Sequence, residues 1–161
     1  MSVNREKPHV MVLPEDDANR QIANGFLQKI NPLKHRQIQV LNEAGGWAHV
    51  RDSFTSTHNA AMKLWPERLM VLLVDFDESP TRVEDVKAEV DPGVVERVFV
   101  LGCYQEPENM KAAGLGSFET IGQKLATDCS EKTTQTWNHR LLQHNTKELE
   151  RMNSTLRKIL F

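Results

Sequence analysis

Residues 69–78 read LMVLLVDFDE, an unbroken apolar run followed directly by a group of carboxylates. A continuous apolar run of this length is typical of a strand that is buried on both faces, as in a parallel sheet. A similar stretch lies near the amino terminus, where Val10–Leu13 leads to the acidic residues 15–17. Ligand sites in α/β proteins lie just beyond the carboxyl ends of such strands. The two acidic groups are therefore expected to share one crevice if their strands are neighbours.

The composition is that of an ordinary globular chain. It has 161 residues, of which 39% are hydrophobic and 26% charged, and a net charge of −2. This length suffices for one domain with a sizeable core, and the near-neutral charge gives no general attraction to nucleic acid or to an anionic membrane. The two cysteines, Cys103 and Cys129, match neither a zinc motif nor a disulfide framework. No apolar segment resembles a signal peptide or a membrane span, so we expect a cytoplasmic protein without membrane contact.

Strand-like runs and amphipathic segments alternate up to about residue 130. The runs are Val10–Leu13, Ile38–Leu41, Leu69–Val74 and one within Val94–Leu101. Helical spacing of apolar residues separates them, most clearly from Asp17 to Ile30. This alternation predicts an α/β fold with a Rossmann-like, four-stranded parallel sheet flanked by helices. The expected strand order is 2-1-3-4, because only neighbouring first and third strands bring the acidic groups together.

From about Thr133 the pattern changes to a narrow apolar seam. Its members fall at intervals of three, four or seven residues: Leu142, Leu149, Met152, Leu156 and Ile159. This spacing predicts one long amphipathic helix. We therefore divide the chain into an α/β domain over residues 8–130 and a C-terminal helical extension over residues 131–161. The extension is expected to pack on the same domain, and the alternative is self-association or binding of a partner protein through its seam.

The sharpest sign of chemistry is the pair Asp75 and Asp77. In an extended chain, residues two apart point to the same side, so both carboxylates are expected to face one ligand. Crowded carboxylates either share protons or bind a cation, and an all-oxygen ligand set suits Mg²⁺ or Mn²⁺. The two aspartates are therefore the candidate metal ligands.

Glu15 lies nearest to the end of the first strand and is the candidate catalytic acid or base, or a further metal ligand. Asp16 or Asp17 is expected to cap the following helix, since free N–H groups at a helix start favour a carboxylate. Asp16, Asp17 and Glu106, which follows the fourth strand, are additional candidate acids of the site.

A glutamate after the first strand with an Asp-x-Asp after a later buried strand resembles the TOPRIM fold. That fold occurs in topoisomerases, bacterial primases, recombination-mediator proteins and OLD-type nucleases, and small TOPRIM-like proteins of unknown function look most similar. The resemblance rests on Glu15, Asp75 and Asp77 and covers residues 8–128. It implies Mg²⁺ held by the two aspartates, with Glu15 catalytic in phosphodiester chemistry on nucleic acid. The chain departs from the family in two places: Asp16 stands where a glycine usually follows the glutamate, and Tyr104 matches no topoisomerase motif.

Two other functions stay open at this point. The missing glycine and the near-neutral charge fit a catalytically inactive TOPRIM-like module that binds a partner protein through its C-terminal helix. A minor alternative is a receiver-like domain with Asp75 as phosphoacceptor. Against it, Gly102 and Cys103 stand where receivers carry a hydroxyl residue, and no fifth apolar strand is visible.

Overall fold

A parallel sheet of four strands lies at the centre of the computed structural model, which describes residues 2–161. The strands are β1 (His9–Pro14), β2 (Ile38–Val40), β3 (Arg68–Leu73) and β4 (Val98–Leu101). Their order is β2-β1-β3-β4, which confirms the predicted 2-1-3-4 order and the α/β class. β1 and β3 pair along their whole length, from His9 opposite Arg68 to Pro14 opposite Leu73. The two strands therefore end at the same level.

Helices connect the strands and cover both faces of the sheet. They are α1 (Asp17–Gln28), α2 (Trp47–Ser53), α3 (Asn59–Leu64), α4 (Arg82–Lys87), α5 (Glu108–Ala112), α6 (Phe118–Glu131) and α7 (Thr146–Leu160). A π-helical turn over Phe54–His58 joins α2 to α3, and 3₁₀ turns lie at Pro32–Gln37, Val95–Arg97 and Gln143–Asn145. Within residues 2–161, no helix has the length and apolar character needed to cross a membrane.

The strand side chains alternate between two hydrophobic cores. Val10 and Val12 of β1 belong to the core that contains side chains of α1, α6 and α7. Met11 and Leu13 of the same strand belong to the core on the other face, beneath α2, α3 and α4. Because both faces are covered, every position of the strand is apolar or buried, which explains the unbroken apolar runs in the sequence.

α1 and α6 come into direct backbone contact at two glycines. A Cβ atom built on Gly25 would lie 2.1 Å from the carbonyl oxygen of Glu119, and one on Gly122 would lie 1.9 Å from that of Ile22. These separations leave no room for any side chain, so only glycine allows the approach at these positions. The close helix pair sets the position of the amino end of α1, which carries part of the candidate site.

The C-terminal segment differs from the single long helix that we predicted. Residues 133–145 form turns and a short 3₁₀ helix, and the α-helix begins only at Thr146. The buried carboxylate of Asp128 accepts the backbone N–H groups of residues 135–137, which holds this stretch in a turn and not a helix. All five side chains of the seam are nevertheless buried in the core beneath α1 and α6.

Side chains of the same segment cover the free edge of β4. Glu148 Oε2 accepts the backbone N–H of Val100 at 2.8 Å, and Asn145 Oδ1 accepts that of Gly102 at 3.1 Å. Asn145 Nδ2 also donates to the carbonyl of Gly102 at 3.0 Å. An open sheet edge is a template for pairing with another chain. Here the α7 region takes the place of a neighbouring strand.

Candidate functional site

The carboxyl ends of β1 and β3 meet at the edge of the sheet where the sequence predicted a site. The N–H of Glu15 donates to the carbonyl of Leu73 at 2.9 Å and so continues the pairing of the two strands. The carboxylate of Glu15 then accepts the backbone N–H of Asp75 at 2.7 Å, although the two residues are 60 positions apart. Strand adjacency, as predicted, is what brings these two acids together.

Asn19, in the first turn of α1, links the acid after β1 to the acid after β3. Its Nδ2 lies 2.9 Å from Asp16 Oδ1 and 2.9 Å from Asp75 Oδ1. Asp16 Oδ1 also accepts the backbone N–H of Asn19 at 2.9 Å and is the N-cap of α1, one of the two residues proposed for that role. Sequence reasoning missed Asn19, which is only 1% exposed. Its Oδ1 is buried and has no hydrogen-bond partner within residues 2–161.

The electrostatics of this edge are those of crowded carboxylates. Burial raises the pKa of Asp75 to about 7, and the negative charges of Asp16, Glu15 and Asp77 act in the same direction, against the hydrogen bond from Asn19. Burial also raises the pKa of Glu15, although the N–H of Asp75 opposes this effect. Asp75 is therefore partly protonated near neutral pH. Partial protonation is the response expected of a buried carboxylate among like charges.

Asp77 is not in the extended conformation from which we predicted that it faces the same side as Asp75. β3 ends at Leu73, and Asp77 and Glu78 have φ values of 49° and 58°, in the left-handed region. Asp77 Oδ2 accepts a hydrogen bond from Arg82 Nη2 at 3.2 Å, and the Asp77 side chain is 63% exposed. Because the chain turns before Asp77, the alternation of side chains in a strand no longer relates it to Asp75.

Arg82 is the cation that contacts this edge. Besides Asp77, its guanidinium group donates to the carbonyl oxygen of Phe76, with Nε at 3.4 Å and Nη2 at 3.3 Å. It also lies 5.7 Å from the centre of the Trp47 ring. The positive charge of Arg82 lowers the pKa of Glu15, against the larger effect of burial. Arg82 thus places one positive charge beside the carboxylates of this edge.

The two remaining candidate acids lie at the periphery. Asp17 is exposed and binds Arg20 and Gln21 on its own helix. Glu106 lines an open hollow of about 360 Å³ whose other walls are Asp77, Glu78, Gln105 and Asn109. The structure therefore brings Glu15, Asp16 and Asp75 together, places Asp77 and Glu106 on an adjoining hollow, and leaves Asp17 on the surface of α1.

The number of carboxylates at this edge and their free oxygens determine which metal ions it could hold. Within residues 2–161, no three histidine, cysteine, aspartate or glutamate side chains are grouped so as to hold a metal ion. Mg²⁺ commonly uses only one or two carboxylates and completes its shell with water and substrate phosphate. Glu15 Oε1 and Asp75 Oδ2 accept no hydrogen bond from the described residues and are not among their fully buried unpaired atoms. These two oxygens are open acceptors at the edge and do not form a closed cage.

Comparison of the chain with protein-family models, with curated proteins and with solved structures found no match in any of the three. The chemistry of the acidic edge, which consists of Glu15, Asp16 and Asp75, is therefore the basis for assigning a function.

Proposed function

We propose that the acidic edge binds a divalent cation of the Mg²⁺ or Mn²⁺ type and supports phosphodiester chemistry on nucleic acid, as the TOPRIM resemblance implies. The observation that carries this proposal is the convergence of Glu15, Asp16 and Asp75 beyond the ends of two paired strands, with the pKa of Asp75 raised to about 7. A bound cation favours the ionised form of each carboxylate and offsets their mutual repulsion. The edge thus has the charge and the free oxygens that such an ion needs.

The residues of the edge divide into three roles. Glu15 Oε1 and Asp75 Oδ2 would hold the ion, which when bound supplies positive charge to phosphate oxygens. Asn19 orients Asp75 through its hydrogen bond to Oδ1. Without the ion, burial raises the pKa of Glu15, and binding of the ion would favour its ionised form. Arg82, beside Asp77, is positioned to pair with a phosphate of the substrate.

A catalytically inactive protein-interaction module is the second candidate, because the acids already have structural partners. One oxygen of Glu15 holds the N–H of Asp75, and Arg82 offsets the charge of Asp77. The apolar seam of the C-terminal segment, which we had considered as a contact surface, is buried against the sheet and its helices. Such a module would therefore use a surface other than the seam.

Calorimetric titration with Mn²⁺ and Mg²⁺ separates these functions when it is paired with a cleavage assay. We expect one saturable Mn²⁺ site, whose affinity falls at least tenfold in Asp75→Asn and in Glu15→Gln. Asp52→Asn is the control, because the Asp52 side chain is 70% exposed, and its affinity for Mn²⁺ should be unchanged. Plasmid, single-stranded DNA and RNA are then incubated with the protein and each metal. If the protein contacts the phosphates directly, its affinity for nucleic acid should fall steeply as the salt concentration rises.

The outcomes are distinct. Cleavage that requires the metal and is lost in Asp75→Asn supports the nuclease. Metal binding without cleavage or nucleic-acid binding leaves the interaction module. Absence of any saturable Mn²⁺ binding overturns the cation site itself.

A further inference from the structure

The amino ends of the strands, opposite to the acidic edge, carry a second group of charged side chains. We call it the arginine cluster: Arg5, His9, His58, Arg68 and Arg97. Arg68 is the first residue of β3, and His9 is its direct neighbour on β1. His58 ends the π-helical turn between α2 and α3. Strands advance roughly 3.3 Å per residue, so β1, six residues long, separates this cluster from the acidic edge.

Arg68 is the centre of the cluster and is buried, with 5% of its surface exposed. Its Nε donates to His9 Nε2 at 3.0 Å. His9 Nδ1 lies 2.7 Å from the carbonyl oxygen of Lys7, which can only accept. His9 is therefore a neutral imidazole with its proton on Nδ1, in agreement with its complete burial, which lowers its pKa. A neutral acceptor holds Arg68 in place but does not compensate its charge.

The two terminal nitrogens of Arg68 have no hydrogen-bond partner among residues 2–161. Neither Nη hydrogen-bonds to an acceptor within residues 2–161, and no carboxylate in that range forms an ion pair with the group. Neither atom is among the fully buried unpaired atoms of residues 2–161, so each keeps a small contact with the outside, although Arg68 as a whole is 5% exposed. Buried charges in proteins are normally paired, because an uncompensated charge of low exposure is costly.

The residues around Arg68 do not supply the missing negative charge. Arg97 is also positive, and its own guanidinium group is occupied by the carbonyl oxygens of Met62, Trp65 and Arg68. Arg5 lies over the Trp65 ring at 5.7 Å. Burial lowers the pKa of His58, and the charge of Arg68 lowers it further.

Glu67, which is exposed, is the acid that acts on this cluster. It raises the pKa of His9 less than burial lowers it, and it makes no ion pair with Arg68. The cluster as a whole therefore has an excess of positive charge.

We propose that the arginine cluster is a binding site for a small oxyanion, a phosphate or carboxylate group of a ligand, held by the two Nη groups of Arg68. The end of a guanidinium group offers two N–H donors in a fixed plane, which matches two oxygens of such an anion. Arg5 and His58 both interact electrostatically with Arg68. This site is separate from the acidic edge and does not depend on the function proposed for it.

The test uses the imidazole ¹⁵N signals of His9 and His58 during titration with inorganic phosphate or with acetate, at an ionic strength held constant with NaCl. We expect a saturable shift of the His58 signal and a matching rise in melting temperature, while His9 keeps its Nδ1–H tautomer. Arg68→Gln is expected to abolish the saturable shift. Because that variant replaces a buried group, Arg5→Gln, at an exposed position, is the second test and should weaken the affinity at least threefold. Arg140→Gln, exposed and outside the cluster, is the control and should bind as the original protein does.

The two anions separate the sources of the oxyanion. Saturation by phosphate alone assigns the site to a phosphorylated ligand, and saturation by acetate alone, or by both, extends it to carboxylates. The proposal is overturned if the His58 signal shifts linearly with both anions, without saturation, and if neither anion raises the melting temperature relative to NaCl. Equal binding by Arg5→Gln, Arg68→Gln and the original protein also overturns it, because the anion would then lie elsewhere.

Discussion

The carboxylate of Glu15 accepts the backbone N–H of Asp75 at 2.7 Å, so the first acidic group of the chain helps to hold the second. This contact gives Glu15 a structural role that is distinct from any chemistry at the site. A substitution that removes the acceptor leaves a partly buried N–H without a partner, whereas one that removes only the charge does not.

Glu15→Ala and Glu15→Gln should therefore differ in stability. Loss of a partner for a buried donor costs about 1–3 kcal/mol, so Glu15→Ala is expected to lower the free energy of unfolding by that amount. Glu15→Gln keeps a carbonyl oxygen that can accept from Asp75 and should stay within about 1 kcal/mol of the original protein. Urea unfolding monitored by circular dichroism measures both. Equal losses in the two variants would show that the charge, and not the hydrogen bond, stabilises this edge.

Asp75 should make the stability depend on pH in the direction opposite to that of most aspartates. Burial raises its pKa in the folded protein to about 7 from an ordinary value of 3.8. Between these two values the folded state binds more protons than the unfolded state, so the free energy of unfolding falls as the pH rises. The contribution of Asp75 is fully present below the lower value and is lost as the pH passes the upper one.

Asp75→Asn should flatten this slope and should be more stable than the original protein above neutral pH. Urea midpoints measured from weakly acidic to weakly alkaline pH, without divalent metal, test this expectation. Asp52→Asn, at an exposed position, is the matched control and should retain the original slope. An unchanged slope in Asp75→Asn would mean that another group titrates in this range.

Gly25→Ala and Gly122→Ala should each destabilise the protein. In the interior of a helix, alanine normally stabilises by about 1 kcal/mol relative to glycine. Here the new Cβ atoms would lie 2.1 Å and 1.9 Å from backbone carbonyl oxygens of the facing helix, so α1 and α6 must separate. Overpacking of this kind costs typically about 1–3 kcal/mol. Thermal unfolding would measure the loss, and a gain in stability in either variant would contradict the close contact.

Glu148→Ala should destabilise the protein and expose the edge of β4. Glu148 is buried, accepts the N–H of Val100 and binds the cationic groups of Lys87 and Arg151. Its removal leaves a buried donor without a partner, at a cost of about 1–3 kcal/mol, and uncovers an edge that can pair with other chains. Glu150→Ala, on the exposed side of the same helix, is the control. Unfolding curves and light scattering should separate the two variants, and equal behaviour would mean that Glu148 does not protect the edge.

Much of the architecture was predictable because it depends on patterns that are local in the chain. The runs at Val10–Leu13 and Leu69–Val74 indicated strands buried on both faces, and their placement before acidic groups indicated which strands are neighbours. The same local patterns failed where tertiary contacts compete with them. The carboxylate of Asp128 takes the N–H groups of residues 135–137, and so the predicted helix from Thr133 begins only at Thr146.

By itself the sequence determined the α/β class and the strand ends that carry the acids, because hydrophobic periodicity and strand ends are properties of neighbouring residues. The expected strand order rested on the premise that the acidic groups share one crevice, and the structure confirms that order. Only the tertiary structure decided the state of each charge. Asn19 reaches Asp75 across 56 positions, and Arg68 reaches His9 across 59. Burial and the distance between charges determine a pKa and the cost of an unpaired ion, and both quantities arise only when distant segments come together.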